Sequence, residues 1–202
     1  YYLAEGNASF DNDRPNSGTL QFTFNKNETE YINEVKEAIK KIFNLDAVLI
    51  ENEDNNTIQV TIFSNILAYL FKTLFGEGCL EKKIPASFMN LPLEKQKELI
   101  NGLFRGDAHL RPEDRSPELI LNTTSKQLAY SVWMILTRFN AIPSFYISPK
   151  ENREKAKNDQ YVLALNCDSI KKINIIDISH RKSRGNKYAK IKEDLVLFPI
   201  KE

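Results

Sequence analysis

The alternation of apolar and polar residues runs through the same order twice along this chain, and that repetition limits what it can fold into. In GTLQFTFN (residues 18–25), Leu20, Phe22 and Phe24 alternate with Thr19, Gln21, Thr23 and Asn25, the pattern of a half-buried strand. TEYINEVKEAIKKIF then sets Tyr31, Ile32, Val35, Ile39 and Phe43 at helical spacing. NTIQVTIFS is a second alternating strand, with Ile58, Val60 and Ile62 on one face and Thr57, Gln59 and Thr61 on the other. SNILAYLFKTLF follows as a short apolar helix, and DAVLIE leaves room for one more strand. From residue 99 the order returns. LINGLFRGDA ends a helix, PELILNTTS is a strand, and SKQLAYSVWMILTRF is an amphipathic helix with Leu128, Val132, Ile135 and Leu136 at core spacing. SFYIS and DQYVLALNC are strands around the polar PKENREKAKN, and DSIKKINIIDIS closes as a helix. Trp133 and the Tyr and Phe set read as core. Such an internal duplication predicts two similar α+β halves, residues 1–98 and 99–202, joined through ASFMNLPLEKQ.

Acids and lysines keep step with the duplication. Glu5 in YYLAEG and Asp107 in NGLFRGDA each follow an apolar turn among small residues, 102 positions apart. Lys82 lies 77 residues after Glu5, and Lys187 lies 80 after Asp107. A carboxylate at a helix end is ordinarily just surface, and a lone lysine more so. Their paired recurrence is what singles them out. Gly102 and Gly106, one turn apart, would let a helix approach another closely and bring the two acids near each other. Two neighbouring carboxylates repel unless a cation lies between them. Mg²⁺ (or Mn²⁺) suits such oxygen ligands and is commonly completed by phosphate oxygens.

Composition narrows the class. With 42% hydrophobic and 27% charged residues, the chain has the profile of a globular protein, and no apolar run approaches the ~20 residues of a membrane span. Cys79 and Cys167, with only His109 and His180 beside them, are too few for a disulfide framework or a structural zinc site, so an intracellular (cytoplasmic) setting is expected. The chain opens at Tyr1 inside a helix, which reads as a piece of a longer polypeptide. Residues 1–60 carry eleven acidic and five basic side chains, whereas residues 171–192 carry eight Lys or Arg against Asp177 alone. The second segment suits a polyanion.

YYLAEG and INGLFRGDA resemble the two copies of the signature motif of LAGLIDADG homing endonucleases, and the KKIP…LP…LINGLFRGD layout is most similar to the endonuclease domains of archaeal-type inteins. The resemblance implies tandem αββαββα-type repeats forming a pseudo-twofold single-chain dimer, with two saddle-shaped antiparallel sheets and the motif helices at the interface. It implies a site-specific double-strand DNA endonuclease, with Glu5 and Asp107 as metal-binding catalytic acids. The catalytic lysines it implies are Lys82 (Lys83 the adjacent alternative) and Lys187 (Lys182 the runner-up). It implies DNA contacts from the polar strand faces, Thr19, Gln21, Thr23, Asn25, Thr57, Gln59, Thr61, Asn122 and Gln160. Loop and tail cations, Arg14, Lys150, Arg153, Lys155, Lys157, Arg181, Lys182 and Arg184, would join them. His109 has no counterpart in the first copy and reads as a surface or DNA-side residue. The chain departs from the motif in three ways. Glu5 replaces the commoner Asp, Ala108 stands where glycine is usual, and Tyr1 enters at about the fourth motif position. The alternatives are a DNA-binding protein that has lost cleavage and an RNA maturase on the same fold.

Overall fold

The computed structural model describes residues 1–14, 16–111, 117–154 and 156–175, together with two paired strands at 190–192 and 195–197. The chain divides into two compact units, Tyr1–Pro85 and Ala86–Glu202. The N-terminal unit runs α1 (Tyr2–Glu5), β1 (Gly6–Phe10), β2 (Gly18–Asn25), α2 (Thr29–Phe43), β3 (Val48–Asn52), β4 (Thr57–Phe63), α3 (Asn65–Phe75) and α4 (Gly78–Glu81). The C-terminal unit runs α5 (Leu93–Asp107), β5 (Ala108–Leu110), β6 (Glu118–Thr123), α6 (Lys126–Arg138), β7 (Ser144–Ser148), β8 (Gln160–Asn166) and α7 (Cys167–Ile173). The separate strands are β9 (Lys190–Lys192) and β10 (Leu195–Leu197).

Each unit builds one four-stranded antiparallel sheet, ordered β1-β2-β4-β3 in the first and β5-β6-β8-β7 in the second. The expected α+β repeats therefore match in strand order as well as element order. Two strands escape the periodicity argument. β1 (GNASF) sets only Gly6, Ala8 and Phe10 inward, and β5 is three residues long; small or short apolar runs leave little alternation to read. Position 98/99, expected between the repeats, lies inside α5, and ASFMNLPLEKQ belongs to the C-terminal unit. There the fully buried Gln96 donates to the carbonyls of Phe88 and Met89 at 2.8 and 2.9 Å, tying the linking turn to its helix.

One face of each sheet is core. In the first unit Leu20, Phe22, Phe24, Val60 and Ile62 pack with Ile32, Val35 and Ile39 of α2 and Leu67 and Ala68 of α3. In the second, Leu119, Leu121, Leu163 and Leu165 are buried, as are Leu128, Val132, Ile135 and Leu136 of α6. Trp133 is half-buried rather than core, since it neighbours the inward Val132 off the apolar stripe. The outward side of α3 is also apolar, with Ile66 and Tyr69 exposed. Among the described residues no helix is long and apolar enough to cross a membrane.

Helix starts follow their side chains. Ser64, Ser125 and Asn166 cap α3, α6 and α7 by accepting from Leu67, Leu128 and Ser169 N–H at 3.3, 3.1 and 2.9 Å. Asn44 and Asn174 end α2 and α7 in the left-handed conformation. Ser125 is buried, so Ser125→Ala leaves the Leu128 N–H unpartnered away from water. A loss of about 1–2 kcal/mol is expected, read as a lower urea midpoint at unchanged m-value.

Candidate functional site

Strand alternation gives each sheet a second, outward face. In the first unit that face carries Asn7 and Ser9 of β1, Thr19, Gln21, Thr23 and Asn25 of β2, Thr57, Gln59 and Thr61 of β4, and Val48, Ile50 and Asn52 of β3. The register sets Gln21 beside Asn7 and Thr61, Thr23 beside Gln59, and Asn25 beside Thr57. The expected polar residues thus share one face. Thr61 is the exception in presentation. It lies between Gln21 and Val48 and is only 1% exposed, its hydroxyl without a hydrogen-bond partner among the described residues. Asn7 and Ser9 join the face through β1, and Ser9 Oγ lies 2.7 Å from Thr19 Oγ1. Only the alternation within GNASF could have signalled them.

On the second sheet the outward positions are His109, Glu118, Ile120, Asn122, Ser144, Tyr146, Ser148, Gln160, Val162, Ala164 and Asn166. Asn122 and Gln160 lie there as expected. The loop cations differ in what they hold. Arg153 braces its own hairpin, donating to the Asn158 carbonyl and, at 3.3 Å, to Gln160 Oε1. Arg14 is exposed at the tip of the β1–β2 hairpin, 3.7 Å from Asp11, and Lys150 and Lys157 are exposed. Lys155, Arg181, Lys182, Arg184 and Lys187 lie outside the described residues.

Glu5 closes α1 and is followed at once by β1. Its carboxylate-bearing turn is held from two sides. Lys82 Nζ donates to the Ala4 carbonyl, in the peptide that precedes Glu5, at 2.8 Å. Lys83, the adjacent alternative, uses its backbone N–H on the Phe75 carbonyl at 2.8 Å, and Ile84 is buried just beyond. From the other side the buried Tyr2 donates to the Gly76 carbonyl at 2.9 Å. Its ring packs on Phe22, Phe71 and Phe75. Burial, with the charge of Glu77, pushes the Tyr2 phenol up to about 12, so it stays a neutral donor. Gly76 itself has φ +80°, and a Cβ there would stand 1.9 Å from the Glu81 carbonyl oxygen.

Asp107 occupies the matching junction. It ends α5, whose Ile100, Leu103 and Phe104 are buried, and it is itself exposed. The residues after the two acids have almost the same backbone, φ −89° and ψ 149° at Gly6, φ −93° and ψ 146° at Ala108. Neither φ/ψ pair requires glycine, so the backbone accommodates Ala108, whereas at Gly6 the constraint is space, since a Cβ there would stand 2.5 Å from Tyr2 Cα. Each acid is therefore delivered by the same helix-to-edge-strand turn. Among the described residues no three His, Cys, Asp or Glu side chains cluster as a metal cage.

Comparison with known proteins agrees with this architecture. The model of the LAGLIDADG-like domain matches residues 94–175. An uncharacterized protein of Methanocaldococcus jannaschii is 31% identical over 182 residues, 86% of this chain and 19% of that protein. The DNA polymerase II large subunit of Thermococcus kodakarensis is 26% identical over 164 residues, 80% of this chain and 8% of that protein. The chain thus spans a fifth or less of these relatives. Among solved structures, mesophilic variants of the homing endonuclease I-DmoI superpose with TM-score 0.63 at 12% identity, covering 87% of this chain and 89% of theirs. I-DmoI in complex with DNA and Mn gives 0.60 at 13% identity, covering 85% and 87%. That likeness is one of fold, and residues 94–175 match the LAGLIDADG-like domain.

Proposed function

We propose that this chain is a metal-dependent, site-specific DNA endonuclease that cuts both strands of a duplex, its two repeats working as one pseudo-dimer. The observation that carries the reading is the recurrence of one acid at one helix–strand junction in each repeat, with a polar outward sheet face in the N-terminal unit. The solved relative in complex with DNA and Mn supports the same substrate and a divalent ion.

The donor set fits such an ion. Single carboxylates, Glu5 and Asp107, suit Mg²⁺ or Mn²⁺, which keep waters and take phosphate oxygens rather than requiring a protein cage. When bound, the ion supplies a Lewis acid that activates water and stabilises the leaving oxygen. The chain's own part is to hold the carboxylates at rigid helix ends and to place a cation beside them. Lys82, fixed on the Ala4 carbonyl, serves to stabilise developing negative charge near Glu5. Lys187 is proposed for the same role near Asp107, with Lys182 second. Bases are read from the outward sheet faces, and Lys and Arg of the hairpins and of 171–192 hold phosphates.

The element also reads as intein-embedded. It matches only 8% of a DNA polymerase subunit and 16% of a Mycobacterium tuberculosis SufBD-family protein. Recurrence as a small share of proteins with such different names supports an inserted origin. The test is cleavage of the uninterrupted insertion-point DNA with Mg²⁺ and with EDTA. A discrete double-strand cut with Mg²⁺ and none with EDTA is expected. Cutting undiminished in EDTA would overturn the metal role; retarded but uncut DNA in both would favour a binder without cleavage.

A further inference from the structure

The two outward faces can be aligned residue by residue. Asn7 and His109 each stand two positions after the acid and pair with the first central strand, Asn7 with Gln21 and His109 with Ile120. Gln21 then pairs with Thr61, and Ile120 with Ala164; one row further, Thr23 pairs with Gln59 and Asn122 with Val162. The four central positions are therefore Gln21, Thr61, Thr23 and Gln59 in one sheet and Ile120, Ala164, Asn122 and Val162 in the other. In the first sheet Gln21, Thr23 and Gln59 present hydrogen-bonding groups, the Thr61 hydroxyl being buried, and in the second only Asn122 does.

We infer that the two sheets read their half-sites by different chemistry, the N-terminal sheet specifying bases and the C-terminal sheet tolerating them at its centre. The inference rests on the DNA-cutting reading above. An amide such as Gln21 or Gln59 can pair bidentately with adenine N6 and N7, and the Thr23 hydroxyl can bond either a donor or an acceptor. Ile120, Val162 and Ala164 can offer only methyl contact, to the thymine C5-methyl group. Even that is slight, because Ile120 is 8% and Val162 4% exposed. Discrimination over the second sheet then falls to Asn122 and to the periphery, where Gln160 Oε1 is already engaged by Arg153.

The test is a binding selection with the 202-residue chain, in EDTA so that recovery reports binding alone, from a duplex pool randomised over about two helical turns. The expected result is an enriched sequence well defined in one half and loosely defined in the other. Gln59→Ala should relax discrimination in the well-defined half by roughly tenfold at its position, and Asn122→Ala should flatten a position in the loose half. These two outward-facing variants label the halves independently, so a fold defect in one does not obscure the answer. Equal definition of both halves, or relaxation of the loose half by Gln59→Ala, would overturn the inference while leaving DNA reading intact. A pool with no enriched sequence would overturn site-specific DNA reading itself, and this inference with it.

Discussion

Glu5→Gln, or Asp107→Asn, is expected to lower double-strand cutting by roughly a hundredfold or more while leaving DNA binding undiminished. Each change keeps the shape of the side chain and removes its negative charge. With one acid in each repeat, neither loss can be made good by the other copy. Binding is a different matter, because affinity for duplex DNA comes from Lys and Arg at phosphates, and a carboxylate among them repels the backbone. Deleting that charge does not weaken the complex. Plasmid cleavage and gel retardation on the same preparations separate the two readouts. Full double-strand cutting by either variant would falsify the assignment of that acid, and loss of binding in step with cutting would make the residue structural.

Most of the framework was legible because each half writes its periodicity plainly. Alternation in GTLQFTFN and NTIQVTIFS placed Leu20, Phe22, Val60 and Ile62 inward, and the repeat of acids pointed to one junction in each half. What stayed hidden has local physical reasons. β1 is built from Gly6, Asn7, Ala8 and Ser9, whose small side chains give no hydrophobic signal, so Asn7 and Ser9 were missed on the outward face. Thr61 alternates as a surface residue does, yet the fold leaves it only 1% exposed. Arg153 looks in sequence like any hairpin cation, and only the fold shows it spent on Asn158 and Gln160. KKIP offers two adjacent lysines with nothing to tell them apart, and only the fold shows the Lys82 ammonium donating to the Ala4 carbonyl.

That arrangement predicts an unequal pair of glycines. Both Gly76 and Gly78 have positive φ, +80° and +64°. At Gly78 a Cβ would meet nothing within 4 Å, so Gly78→Ala should cost about 1–2 kcal/mol, the ordinary penalty of a left-handed alanine. At Gly76 a Cβ would lie 1.9 Å from the Glu81 carbonyl oxygen, and that obstacle is backbone, not a side chain that can swing away. Its φ of +80° with ψ of 178° also belongs to a region that is essentially glycine's alone, worth about 1–3 kcal/mol by itself. Gly76→Ala should therefore cost clearly more than Gly78→Ala, with the lower urea midpoint. The damage also falls where function is proposed. Gly76 accepts from Tyr2, and the segment it begins returns through Lys82 to the Ala4 carbonyl, so pushing Glu81 away shifts the lysine from the acid-bearing turn. Under conditions where both variants remain folded, Gly76→Ala should cut DNA more slowly than Gly78→Ala. Equal midpoints and equal rates would mean that the loop absorbs the clash and that Lys82 does not depend on its path.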